Sequence, residues 1–339
     1  MKKLINLAIL LAFVPLLFLT SCKEDEPDVV NAYTTLKSYM VTNNLDLPAL
    51  AVSWIVDPKS TNQVGGCVDS VTGTIPGYTI YDIRSASDFA AGHIKNATNI
   101  VLKDIISTVT NTAIAKDAKI LVVCATGQTA GQAVMALRLL GWKNAVVLKW
   151  GMAGWNATHK GLWVANSGIE VAANGNLAET NPANWVKTAA PATGSFDEPV
   201  WTSTSTDGAA ILQERVQAVL DAGFSTADGA AVLASPATYQ IVNYWVSADY
   251  LTFGHFSGAY NVPTIALAGD LIKAFDPSKE ELVYCYTGQT SSIATFWLNV
   301  LGYKTKGIGF GANRMVYTPL KTAYKATYPG AKNWAVATN

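Results

Sequence analysis

The feature that most constrains this chain is a phrase it uses twice. Cys124-Ala125-Thr126-Gly127-Gln128-Thr129-Ala130 and Cys285-Tyr286-Thr287-Gly288-Gln289-Thr290-Ser291 lie 161 positions apart. Each follows a short apolar run, Ile120 to Val123 or Leu282 to Tyr284, and opens a helix-like stretch ending in Leu140-Gly141-Trp142 or Leu301-Gly302-Tyr303. A cysteine at a helix N-terminus sees unpaired N–H groups and the positive end of the dipole, which favours a nucleophilic thiolate. Gly127 and Gly288 let the backbone curl so that successive N–H groups converge on the sulfur as an anion nest. One such cysteine could as well be a buried core residue. Two with the same glycine spacing read as a duplicated reactive-thiol loop.

The repeat extends upstream. Gly92-His93-Ile94-Lys95-Asn96-Ala97-Thr98-Asn99-Ile100 matches Gly254-His255-Phe256-Ser257-Gly258-Ala259-Tyr260-Asn261-Val262. An amphipathic helix over Ala32 to Val41 has its counterpart over Ile211 to Ala222. Strands are expected at Ala51 to Val56 and Ala230 to Leu233, and again at Tyr78 to Ile83 and Tyr239 to Tyr244. The first copy carries an extra Gly/Pro/Ser/Thr-rich stretch, Pro58 to Gly77, that reads as an exposed loop. Short apolar strands alternating with helices predict an α/β chain of two units, each an open, mainly parallel sheet with helices on both faces. Ligands of such sheets bind beyond the carboxyl ends of the strands, where both cysteines fall.

At 339 residues, half of them hydrophobic, the chain can build two cores. Only 14% of residues are charged, and 24 basic residues balance 24 acidic ones, which leaves no electrostatic footprint for nucleic acid. Lys2 and Lys3 precede an apolar stretch, Leu4 to Leu19, that reads as a secretory signal rather than a membrane span. The expected division is a signal peptide over 1–21, a tether over 22–30, a first domain over 31–160, an ordered linker over 161–200 and a second domain over 201–339. Cys67 lies in a Gly-rich stretch and reads as a surface-loop residue; the three cysteines Cys67, Cys124 and Cys285 do not make a disulfide framework. His93, His159 and His255 offer no metal-ligand spacing with the cysteines. No metal and no cofactor is expected.

Leu19-Thr20-Ser21-Cys22 resembles the lipobox of bacterial lipoproteins. The resemblance implies lipidation of Cys22, membrane attachment through that anchor, and export to the bacterial cell envelope. Lys23-Glu24-Asp25-Glu26 further resembles the charged export tag of surface lipoproteins in some Gram-negative bacteria.

Across nearly all of its mature length the chain resembles the rhodanese family, in two tandem copies. The first copy carries the upstream motif as Asp82-Ile83-Arg84, Asp88-Phe89, Gly92-His93-Ile94 and Ala97. The Cys-x-x-Gly-x-x loop stands in both copies, and Gly141-Trp142, Ala145 to Leu148, Gly151 and Trp155 look like the family's closing strand and turn. The resemblance implies two rhodanese-like domains and a sulfurtransferase that moves sulfane sulfur from a small donor to a thiol or other nucleophile through a cysteine persulfide. Cys285 and Cys124 would be the nucleophiles. Tyr286 to Ser291 and Ala125 to Ala130 would form the persulfide-binding loops, with hydroxyl donors among Thr126, Thr287, Thr129 and Thr290. Asp82, Arg84, His93 and His255 would hold structure rather than react. The second copy departs from the motif by placing Asn243-Tyr244-Trp245 where the first has Asp82-Ile83-Arg84. Neither loop carries Arg or Lys, which sets the chain apart from relatives that act on anionic thiosulfate. A phosphatase would need Arg six positions after the cysteine, where Ala130 and Ser291 stand. The alternative function is a non-enzymatic sulfur carrier or binding module at the cell envelope.

Overall fold

The computed structural model of the protein describes residues 31–338, so the expected signal peptide, Cys22 and the expected tether lie outside the described residues. Two parallel sheets carry the fold. The first is built from β1 (Ile55–Ser60), β2 (Gly66–Val68), β3 (Thr79–Asp82), β4 (Thr98–Asn99), β5 (Ile120–Val123) and β6 (Ala145–Leu148), in spatial order β2-β1-β6-β5-β3-β4. Between the sheets, β7 (Trp185–Val186) leads to the second, made of β8 (Thr226–Ala227), β9 (Gln240–Asn243), β11 (Tyr260–Asn261), β12 (Glu280–Tyr284) and β13 (Lys304–Ile308). Its order is β11-β9-β12-β13-β8, and β10 (His255–Phe256) pairs antiparallel with β7. Without the added β2, the two sheets share one strand order.

β5 is buried along its whole length and both faces of its sheet are covered, which explains its unbroken apolar run. Ile120, Val122 and Cys124 point to one face; Leu121 and Val123 point to the other, against Val68, Ile80, Val146 and Trp155. The Cys124 face of the first sheet and the matching face of the second share one continuous core. There the helix Thr129–Leu139 packs on the helix Gln289–Val300. The two cysteine loops, which open these helices, are thereby brought face to face.

Several sequence expectations are corrected. Ala230 to Leu233 is not a strand but part of the helix Gly229–Ala234; Asp228 caps it by accepting from Ala230 N and Ala231 N, each at 2.9 Å. The strand that matches β1 is β8, which pairs with β13. Ala51 to Ser53 form a turn, and the first strand begins only at Ile55. The stretch Pro58 to Gly77 is not wholly an exposed loop: it supplies β2, which pairs parallel with β1 across an irregularity between Asp57 and Ser60, where Pro58 has no N–H to donate. Cys67 lies in β2, buried, with its thiol on the Asp57 carbonyl at 3.3 Å and its pKa pushed up to about 12 by burial and by Asp57.

The units exchange their ends. The N-terminal helix Ala32–Thr42 packs on the helix Gly208–Ala222 of the second unit, and Ala32 N donates to Trp201 O at 3.1 Å. The last residues return to the first unit. There Trp334 N donates to Trp155 O, Trp155 Nε1 to Ala335 O, and Ala337 bridges His93. No helix among the described residues is long and apolar enough to cross a membrane.

Candidate active site: two facing thiol loops

Cys124 follows the last residue of β5, and its sulfur accepts from Gly127 N at 3.1 Å and Ala130 N at 3.3 Å. Cys285 follows β12 in the same way and accepts from Ser291 N at 3.3 Å. Its sulfur also lies 3.6 Å from Ser291 Oγ, which in turn donates to Gly288 O. The carbonyls of the two cysteines accept from Met152 N at 2.9 Å and Ala312 N at 3.0 Å, which fixes both loops to the turns after β6 and β13. The Cys124 sulfur therefore lies against two amide hydrogens and the Cys285 sulfur against one, each at the N-terminus of a long helix. That arrangement stabilises an anion at the sulfur.

Burial opposes it. Both cysteines are only 3% exposed. The Cys124 thiol is shifted up by desolvation, against the downward pull of the Ala130, Thr126 and Gly127 amides. For this loop burial works against the thiolate that the amides favour.

The cover is mutual. Gln289 Nε2 donates across the interface to Thr126 O at 3.1 Å, Phe310 N donates to Gln128 Oε1 at 3.0 Å, and Ser292 Oγ donates to Gln128 O at 2.6 Å. Gly127 and Gly288, both at positive φ, lie so close to the opposite glutamine amide that an added Cβ would collide with it. The glycine spacing thus serves the bend of each loop and the approach of its neighbour. An aromatic wall closes one flank. Trp163 Nε1 donates to Thr126 O at 3.2 Å, and the Trp163 ring packs on Trp150, Phe310 and Tyr328.

Thr126 and Thr287, read as hydroxyl donors to sulfur, turn to the glutamines instead: Thr126 Oγ1 accepts from Gln128 Nε2 at 3.2 Å, and Thr287 Oγ1 donates to Gln289 Oε1 at 3.4 Å. Thr129 and Thr290 are half-buried, as are Ala125 and Tyr286. The Tyr286 ring stacks on Trp245 at 4.8 Å while its hydroxyl donates to Asp249, a carboxylate that also pairs with Lys325 at 2.6 Å. Burial, and after it the Asp249 carboxylate, makes the Tyr286 proton harder to remove.

In the first unit Asp82 and Arg84 form a buried ion pair at 2.7 Å, and Arg84 also donates to Gly92 O. The second unit replaces it with neutral groups: Asn261 Nδ2 bonds Asn243 Oδ1 and Trp245 O, each at 3.0 Å. His93 lies stacked on Phe89 with Nδ1 at the Phe89 carbonyl, and His255 stacks on Tyr250 between the Phe256 and Thr188 carbonyls. Neither imidazole is directed at a sulfur by these bonds. Among the described residues no group of three or more His, Cys, Asp or Glu side chains could hold a metal. A cavity of about 490 Å³ beside β11, lined by residues including Thr193, Asn261, Asp270 and Lys273, includes neither cysteine.

Sequence reasoning gave no role to Tyr244, Trp163 or Phe310. Tyr244 stands beside Cys285 on the neighbouring strand, and the other two reach the loops from outside the motif.

Residues 72–158 match the family model described as Rhodanese-like domain. That segment is a rhodanese-like domain, and it contains β3 to β6 and the Cys124 loop. No curated protein matches the chain. Among solved structures, the rhodanese-like domain of an Anabaena sp. protein is 32% identical over 24% of this chain and 83% of that one, with a TM-score of 0.23. A thiosulfate sulfurtransferase from Pseudomonas aeruginosa is 15% identical over 91% of this chain and 50% of its own, at 0.28. A 3-mercaptopyruvate sulfurtransferase from Leishmania major is 14% identical over 78% and 75%, at 0.27. TM-scores this low add nothing to the assignment, which rests on the family match over 72–158 and on the parallel-sheet fold.

Proposed function

We propose that the protein is a sulfurtransferase with two thiol loops, the second unit being a diverged copy of the first. The reading is carried by one observation: on each of two sheets, a cysteine at the carboxyl end of a central strand accepts from backbone N–H at a helix N-terminus, two for Cys124 and one for Cys285. The thiolate attacks the outer sulfur of a sulfane donor, an S–S bond forms, and the donor's bond to that sulfur breaks with the electron pair leaving on the donor. An acceptor nucleophile, a thiol in the cell, then takes the outer sulfur and releases the cysteine as thiolate. The cycle is ping-pong, and the amides stabilise both the thiolate and the persulfide anion. The same proposal places the folded part outside the cytoplasm on a lipid-bearing Cys22.

A second reading is favoured by the 3% exposure of both cysteines: a sulfur carrier or binding module whose loops open only when a partner engages them. Reduced, folded protein treated with polysulfide should gain one sulfur atom in mass per active loop peptide, and should form thiocyanate from cyanide. The Cys124→Ser, Cys285→Ser double variant should do neither. Loading without turnover would favour the carrier; no loading on either peptide would sink the sulfur reading. The same mass spectra of membrane-extracted protein should show acyl mass on Cys22, and its absence would remove the anchor.

A further inference from the structure

The second loop has a neighbour that the first lacks. In the parallel register Asn243 lies opposite Tyr284 and Asp82 opposite Val123, so the next residues, Tyr244 and Ile83, stand beside Cys285 and Cys124. The backbone bonds carry this alignment one step further: Tyr244 N donates to Tyr284 O at 2.8 Å and Ile83 N to Val123 O at 2.9 Å. In-register neighbours of parallel strands project to the same face. Tyr244 and Ile83 accordingly both pack against the one core that holds Val242, Val283, Val122 and Cys124.

We propose that Tyr244 makes the two sulfur sites unequal, its hydroxyl donating a hydrogen bond to the outer sulfur of a persulfide on Cys285. The inference rests on the sulfur-transfer reading above. Tyr244 is half-buried, and its hydroxyl is pushed up to about 12 by burial and then by the charge on Cys285, so it stays a donor at neutral pH while within reach of the sulfur's field. It is not among the hydrogen-bond partners of the Cys285 sulfur, which are Ser291 N and Oγ. The proposed bond is therefore to an atom attached to that sulfur, not to the sulfur itself. Ile83 offers Cys124 no donor at the matching place. A persulfide on Cys285 would thus remain anionic at lower pH than one on Cys124, and the same hydrogen bond draws charge off its outer sulfur, so that attack there by an acceptor would be faster.

The test uses the full chain loaded with polysulfide. Mass spectrometry follows the persulfide on each loop peptide, with alkylation rates read across pH and sulfur release to cyanide timed. Tyr244→Phe keeps the ring and its packing and removes only the donor. It should move the alkylation profile of the Cys285 persulfide to higher pH and slow its release about tenfold, with the Cys124 peptide unchanged. If Tyr244→Phe loads and releases sulfur at Cys285 as the parent does, with the same pH profile, the tyrosine assignment is overturned and the sulfur-transfer reading stands. If the parent protein loads sulfur on neither cysteine, both are overturned together.

Discussion

The two halves of the molecule build one backbone shape from different side-chain chemistry. The first unit fixes the strand beside its cysteine with a buried ion pair, Asp82 with Arg84; the second does so with Asn243, Asn261 and the Trp245–Tyr286 stack. Where the first has Ile120 in its central strand, the second has Glu281, equally buried. The comparison teaches that the thiol cup depends on the strand–loop–helix geometry, and that its supports can be exchanged between charged and neutral solutions.

The largest way to break the comparison is to remove one charge of the pair. Arg84→Met leaves the Asp82 carboxylate buried without its partner and should cost about 3–5 kcal/mol, read by chemical denaturation. The exchange reading fails if the variant is as stable as the parent.

The next contrast is pH. Burial raises the Glu281 carboxyl to about 7, and one of its oxygens has no hydrogen-bond partner. Because the folded state holds the proton more tightly than the unfolded chain, stability is fullest below the unfolded pKa of about 4.5 and is lost as pH climbs toward 7. Glu281→Gln should flatten this slope and raise stability at pH 7 by about 3 kcal/mol. An unchanged slope in denaturation curves between these limits would place the acid elsewhere.

The smallest expected effect sharpens the relation between the loops. Gln289→Ala removes the bond to Thr126 O in the opposite loop and should destabilise by about 1 kcal/mol. Alkylation of Cys124 should quicken at the same time. Equal alkylation rates in parent and variant would mean that the glutamines do not control entry.

Much of this plan could be read from the residues alone. β5 is legible because a strand buried on both faces is apolar throughout, and the two cysteine loops because the same phrase recurs with glycine at the same step. β8 was not, since a two-residue strand leaves no period; Asp228 ahead of Gly-Ala-Ala-Val-Leu-Ala did carry a helix-capping signal that an apolar run can mask. The glutamine exchange was hidden for another reason. Gln128 and the Phe310 amide are 182 positions apart, and no local pattern encodes such a pairing. Nor can a sequence weigh an amide cup against the loss of water around Cys124, because burial there is set by the other half of the chain.

The crossing of the chain ends has a further consequence. With its leading helix lodged on the later half and its trailing residues fastened along Trp155 and His93, the polypeptide is laced shut, so a scissor cut near residue 200 would free two fragments that each lack a piece of wrapping. Both chain ends therefore hold the two units together, and parting them would strip each of packing that the other supplies.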